Sequence, residues 1–254
     1  MDARLTVGSK GRGSILCLEN WTARLARERV VVAPSLLASD FANLESEVRR
    51  LEDGGAQVIH VDVMDGVFVP NISVGLPVVE ALRRVTTLRL DVHLMIIDPI
   101  RYVNAFCNAG ADLVSFHVEA TSEPREVIER IRDCGVSPGL ALNYGSLVER
   151  VVPFASLVDL LLVMSVPAGF GGQKFHDDAL NSIRELRSVL SEDSLLEIDG
   201  GIDETTIGKA AVAGVNLFVA GTGVFKADNY GEQMRILKER ALRAILLENG
   251  RQTA

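Results

Sequence analysis

Val58-Ile59-His60-Val61-Asp62-Val63-Met64-Asp65-Gly66 is an aliphatic run interrupted at alternate positions by a histidine and an aspartate. A short run of this kind, rich in β-branched residues and ended by glycine, reads as a strand buried on both faces, as in a parallel sheet. His60 and Asp62 are two residues apart, so a strand points both to the same side. Uncompensated polar groups are costly to bury, so the pair needs a partner or a metal. Two further runs have the same character: Leu88-Arg89-Leu90-Asp91-Val92-His93-Leu94-Met95 and Leu195-Leu196-Glu197-Ile198-Asp199-Gly200-Gly201.

Working outward from these runs, strand-like and helix-like segments alternate from Val30 onward in units of about 25–30 residues. The expected strands are 30–34, 57–63, 88–94, 112–117, 136–142, 158–165, 194–199 and 215–220. Phe41, Leu44, Val48 and Leu51 form one helical stripe. Ser39 and Asp40 precede it as start residues, and Gly54-Gly55 stop it. The helix after Pro99 closes at Gly110, and Pro124 and Gly135 bracket another. Eight such units with short links predict a single-domain (β/α)8 TIM barrel over residues 30–246. A short N-terminal extension, 1–29, precedes it, and a tail, 247–254, follows.

Composition bounds the function. The chain has 254 residues, 48% of them hydrophobic but only 5% aromatic, so the core is aliphatic. A net charge of -8 and the lack of a basic stripe argue against nucleic acid. The apolar runs are too short to span a membrane. Residues 1–29 hold six basic residues, Arg4, Lys10, Arg12, Arg24, Arg27 and Arg29, but no apolar h-region, which argues against a secretory signal. Cys17, Cys107 and Cys134 form no metal-binding spacing, which fits a reducing cytoplasm. Neither Cys107 nor Cys134 has an adjacent base, so a nucleophilic role is not expected. No lysine lies inside a predicted strand (Lys174 and Lys209 fall in a loop and a helix), which argues against Schiff-base chemistry.

In such a barrel the active site lies at the carboxyl ends of the strands. His60, Asp62, Met64, His93, Met95, His117, Met164, Ser165 and Asp199 all fall at or near one. His60, Asp62, His93 and Asp199 offer two nitrogens and two oxygens. That set suits zinc, manganese, ferrous iron or cobalt better than calcium or magnesium. The other reading is a hydrogen-bonded plug in the barrel top, and the shared rim favours the metal. Asp91 either orients His93 or pairs with Arg89. His117 is expected to hydrogen-bond rather than ligate. Ser35 is read equally as a contact to a substrate hydroxyl or as a structural hydroxyl, and His176 as solvated.

Gly169-Phe170-Gly171-Gly172-Gln173, Gly200-Gly201 and Gly221-Thr222-Gly223 each follow a predicted strand. Glycines let backbone N–H groups approach an anion, so the three loops together suggest a phosphate cradle; singly, each merely permits a turn. Met64, Met95 and Met164 either fill core gaps or line the site with polarisable surface.

Several of these segments together are specific enough to indicate a family. Ala33-Pro34-Ser35-Leu36-Leu37, the stretch from His60 through Phe68 to Pro70-Asn71, Asp91-Val92-His93-Leu94-Met95, residues 169–173 and Asp199-Gly200-Gly201 resemble the ribulose-phosphate 3-epimerase family from about Val30 to about Leu246. The resemblance implies a (β/α)8 barrel of the pentose phosphate pathway that interconverts D-ribulose 5-phosphate and D-xylulose 5-phosphate. It implies one divalent ion on His60, Asp62, His93 and Asp199, with Asp62 and Asp199 also the acid–base pair. Ser35 and His93 would contact substrate, and Gly169, Phe170, Gly171, Gly172, Gly200, Gly201, Gly221 and Thr222 would hold its phosphate. It also favours a homo-oligomer. Two rim segments depart from the family pattern: Pro167-Ala168, where Asn-Pro is common, and Tyr144-Gly145-Ser146, where Pro-Ala-Thr is usual. Residues 1–29 have no counterpart. These departures bear on the sugar more than on the reaction, so D-allulose 6-phosphate is the alternative substrate. A redirected or non-catalytic phosphate-binding barrel is the more distant alternative.

Overall fold

Every predicted strand is present in the computed structural model, which describes residues 20–252. The strands are β1 Val31–Pro34, β2 Val58–Met64, β3 Arg89–Met95, β4 Leu113–His117, β5 Ser137–Leu142, β6 Leu160–Met164, β7 Leu195–Asp199 and β8 Leu217–Ala220, each within two residues of its expected bounds. All pairings are parallel, in the order β1-β8-β7-β6-β5-β4-β3-β2. The barrel closes between β1 and β2 through a single bridge, Ser35 to His60. The fold is therefore a single-domain (β/α)8 barrel. Cys17 lies outside the described residues.

The helices are α1 Trp21–Arg27, α2 Leu44–Asp53, α3 Leu76–Val85, α4 Val103–Ala109, α5 Pro124–Asp133, α6 Ala179–Val189, α7 Ile207–Ala213, α8 Thr222–Phe225 and α9 Tyr230–Gln252. Helix α2 buries Val48 and Leu51 as the stripe requires, and it stops at Gly54, with Gly55 at φ +81°. Phe41 does not join the stripe and is exposed. The Asp40 carboxylate caps Ala42 N and winds residues 41–43 into a 3-10 turn, which rotates Phe41 off the buried face. Between β5 and β6 the link is two 3-10 turns, Val148–Arg150 and Val152–Leu157, rather than an α-helix. Pro153 at the start of the second turn lacks the N–H that a continuous helix would need there.

Two apolar layers hold the barrel. One lies between strands and helices and takes the outward residues, such as Ile59, Val61, Val63, Val92 and Phe116. The other fills the lower interior with Val31, Val58, Leu113, Leu160, Leu195 and Leu217. Helix α1 inserts Leu25 and Ala26 into that interior cluster and so covers the amino-terminal mouth of the barrel. Above this plug the inward positions turn polar. The register sets His60 beside Asp91, Asp62 beside His93, and Met164 beside Asp199. An apolar lower interior beneath a polar upper one confines ionisable groups to the carboxyl rim.

Candidate active site

The two donors of β2 and the one of β3 converge. His60 Nε2 lies 3.2 Å from Asp62 Oδ1, and His93 Nδ1 lies 3.2 Å from the same oxygen. Donor atoms of His60, Asp62, His93 and Asp199 all fall within 4.8 Å of one another. Both imidazoles are fully buried, and their far nitrogens are engaged. His60 Nδ1 donates to Asp91 Oδ2 at 2.6 Å, and His93 Nε2 is 2.9 Å from His117 Nε2. Hydrogen-bonded outer nitrogens leave the inner ones aimed at the shared centre, the usual arrangement of ligating histidines. The donor set fits a divalent ion.

Burial would raise Asp62, but His60 and His93 outweigh it and hold the carboxyl well below its ordinary value. Asp199 is pushed up to about 7 by burial and by the Asp62 charge. Burial would lower His60, yet Asp62, Asp91 and Glu197 around it raise it well above its ordinary value. Two carboxyls at one centre thus differ in proton affinity, the condition under which one is ionised while the other is protonated. The Ser35 hydroxyl donates to Asp62 Oδ2 at 2.7 Å, so it orients the carboxylate from β1.

A cleft of about 570 Å³ opens above this centre. Its wall includes Ser35, Asp62, Asp199, the three methionines Met64, Met95 and Met164, and the cradle glycines 169, 171, 172, 200, 201 and 221, with Phe170 and Thr222 but not Gly223. His60 and His93 lie beneath the floor. Among the described residues no lysine or arginine lines the cleft, so an anion there would rely on backbone N–H groups. The 169–173 loop is tied down by Gln173 Nε2, which donates to Pro167 O and Phe170 O, and by Asn71 Nδ2, which donates to Gly169 O. Ser165 Oγ donates to Gly200 O at 2.6 Å. The departing residue Tyr144 donates its hydroxyl to Asp178 and stacks on the exposed His176.

Asp91 serves His60 rather than His93, and Arg89 pairs with Asp112 rather than with Asp91. In parallel pairing His60 is Asp91's cross-strand neighbour, whereas His93 is a full pleat further along the same strand. Glu197 is a buried residue that the sequence reading left without a role. It lies two before Asp199 on the inward face of β7, with Oε1 3.4 Å from His60 Nδ1. Burial and the Asp91 carboxylate raise it well above its ordinary value, which keeps it protonated. The two-residue spacing that pairs His60 with Asp62 also pairs Glu197 with Asp199 and would have found it.

The sequence profile described as the ribulose-phosphate 3 epimerase family matches residues 31–225. The chain belongs to this family. A ribulose-phosphate 3-epimerase of Bacillus subtilis (strain 168) is 46% identical over 200 residues, covering 77% of this chain and 92% of that one. The chloroplastic ribulose-5-phosphate-3-epimerase of Arabidopsis thaliana is 42% identical over 220 residues, covering 85% of this chain and 78% of that one. Among solved structures, the 3-hexulose-6-phosphate synthase of Salmonella typhimurium superposes with a TM-score of 0.66 at 16% identity, over 85% of this chain and 100% of that chain. That likeness concerns the barrel alone. The family match spans all eight strands, so it includes each of the four converging side chains.

Proposed function

We propose that this chain catalyses metal-dependent 3-epimerisation of D-ribulose 5-phosphate to D-xylulose 5-phosphate. The observation that carries this reading is a pair of carboxyls, Asp62 and Asp199, with opposed proton affinities on one cleft. They reach it from β2 and β7, with β1 and β8 between them in the barrel. Inverting a carbon beside a ketone requires a proton to leave one face and another to arrive at the opposite face. Two carboxyls do this directly: the ionised one accepts the C3 proton while the protonated one donates, and the roles exchange in the reverse direction. Ser35 orients Asp62 for this work and stands ready to meet a substrate hydroxyl.

His60, Asp62, His93 and Asp199 would hold one divalent ion (zinc, manganese, ferrous iron or cobalt). When bound, that ion supplies positive charge where the enediolate oxygens become negative. Met64, Met95 and Met164 offer a polarisable wall with no competing proton. The glycine loops, closed over the cleft by Gln173 and Asn71, present backbone N–H groups to the phosphate. The same reading includes a homo-oligomer working in the cytoplasm. Among the described residues no helix is long and apolar enough to cross a membrane.

The deciding experiment is C3 epimerisation of D-ribulose 5-phosphate, with D-allulose 6-phosphate in parallel, before and after chelation and metal return. Fast pentulose turnover that chelation abolishes and metal restores is the expected result. Preference for the hexulose would keep the chemistry and move the substrate. Turnover of neither would overturn the proposal and point to the rim loops at 144–146 and 167–168.

A further inference from the structure

Behind His93 a chain of polar groups leads away from the cleft. His93 Nε2 is 2.9 Å from His117 Nε2, and His117 Nδ1 is 3.5 Å from Glu119 Oε2. Both imidazoles are fully buried. Among the described residues neither His117 Nδ1 nor Glu119 Oε2 makes a hydrogen bond, so two buried polar atoms are left facing each other. Glu119 Oε1 is already committed, because it accepts the Asn143 backbone N–H at 3.1 Å. Burial would raise Glu119, but the neighbouring His117 and Ser146 side chains outweigh it and bring the carboxyl to about 2, so it is ionised.

Counting protons along this chain gives a definite result. Three gaps exist: Asp62 to His93, His93 to His117, and His117 to Glu119. A ring that gives one nitrogen to a metal ion or to an incoming hydrogen bond carries a single N–H on the other, so the two rings bring two protons. The middle gap joins two nitrogens and must hold one, since two bare lone pairs at 2.9 Å repel. The second proton faces either Asp62 or Glu119. A metal ion on His93 Nδ1 needs that nitrogen bare, so the proton must then lie at the Glu119 end.

We infer that Glu119 is a positioning residue which, through His117, fixes the tautomer of His93 and leaves His93 Nδ1 free to ligate. This rests on the metal reading of the site but goes beyond it, since neither Glu119 nor His117 touches the centre. Substitution with glutamine would act in a particular way. The Asn143 N–H demands the amide oxygen, so the NH2 group would face His117 Nδ1. That reverses both tautomers and places a proton on His93 Nδ1, where the ion must bind.

The test uses histidine labelled with nitrogen-15 in the full chain, which has only four histidines, and reads each ring's tautomer from two-bond proton–nitrogen correlations. In the zinc-loaded wild type the expected pattern is His117 protonated at Nδ1 and His93 at Nε2. Glu119→Gln should weaken zinc binding by about 10–100-fold, the usual cost of losing an outer partner, while leaving the metal-free thermal midpoint unchanged. In a His117→Phe background the same change should have no further effect, because its route is gone. His117 protonated at Nε2 in the zinc-loaded wild type, or unchanged zinc affinity in Glu119→Gln, would overturn the inference. A wild type that takes up no zinc would instead sink the metal reading, and this inference with it.

Discussion

Asp62 and Asp199 are the same kind of side chain a few ångströms apart, and their surroundings separate them. Two imidazoles and the Ser35 hydroxyl stabilise the charge on Asp62, while at Asp199 burial and the Asp62 charge outweigh what His60 and the Gly200 N–H offer. If each serves one face of C3, the two asparagine variants should fail in complementary ways. At matched metal content, Asp62→Asn and Asp199→Asn are each expected to lose at least about 10²-fold in epimerisation, within the range of general acid–base catalysis. Each keeps one base, so each should still exchange the C3 proton of one epimer with deuterium oxide, and the two variants should favour opposite epimers. Near-wild-type turnover in either variant would refute the two-base scheme. So would exchange of both epimers by one variant.

At the scale of elements, the turn after β7 shows how the backbone supports those side chains. Gly200 and Gly201 follow Asp199 at φ +119° and +62°, in the region that a side chain disfavours. A Cβ on Gly201 would also lie 2.8 Å from Phe175 Cα, so this turn packs directly on the chain that leaves the 169–173 loop. Gly201→Ala should therefore destabilise the protein by about 1–3 kcal/mol, the cost of such backbone strain, measurable by urea unfolding. It should also raise KM more than it lowers kcat, because the cradle shifts while Asp62 stays in place. An unchanged KM would mean that these N–H groups do not hold the phosphate. Sequence periodicity anticipated the strands well because each is a short, mostly apolar run of strand length, which a buried parallel sheet satisfies. It could not anticipate how the loops close. Asn71 reaches Gly169 across 98 positions of sequence, and Glu119 meets His117 only because a 3-10 turn folds it back. Contacts of that kind have no period to read.

For the whole molecule, the interior is divided by height: an aliphatic lower barrel covered by α1, and an upper barrel crowded with Asp62, Asp91, Glu197 and Asp199 around His60. The four ligand candidates were legible because histidine and aspartate in an aliphatic strand demand an explanation. Asp91 completes that explanation by accepting from His60 Nδ1, and Glu197 lies 3.4 Å from the same nitrogen. Donors from β2, β3 and β7 converge only in the folded barrel, so metal binding and folding should be linked. An ion that binds the native state alone stabilises it by about 2.7 kcal/mol at a free concentration one hundred times Kd. For a chain of this size that corresponds to a rise of about 5–10 °C in Tm. Calorimetry of the chelated protein, with and without returned zinc, should show that rise. His93→Ala removes one nitrogen and should show much less of it, with its metal-free Tm as the baseline. An equal rise in His93→Ala would place the stabilising ion elsewhere, whereas its disappearance ties the cation to the floor of the cleft.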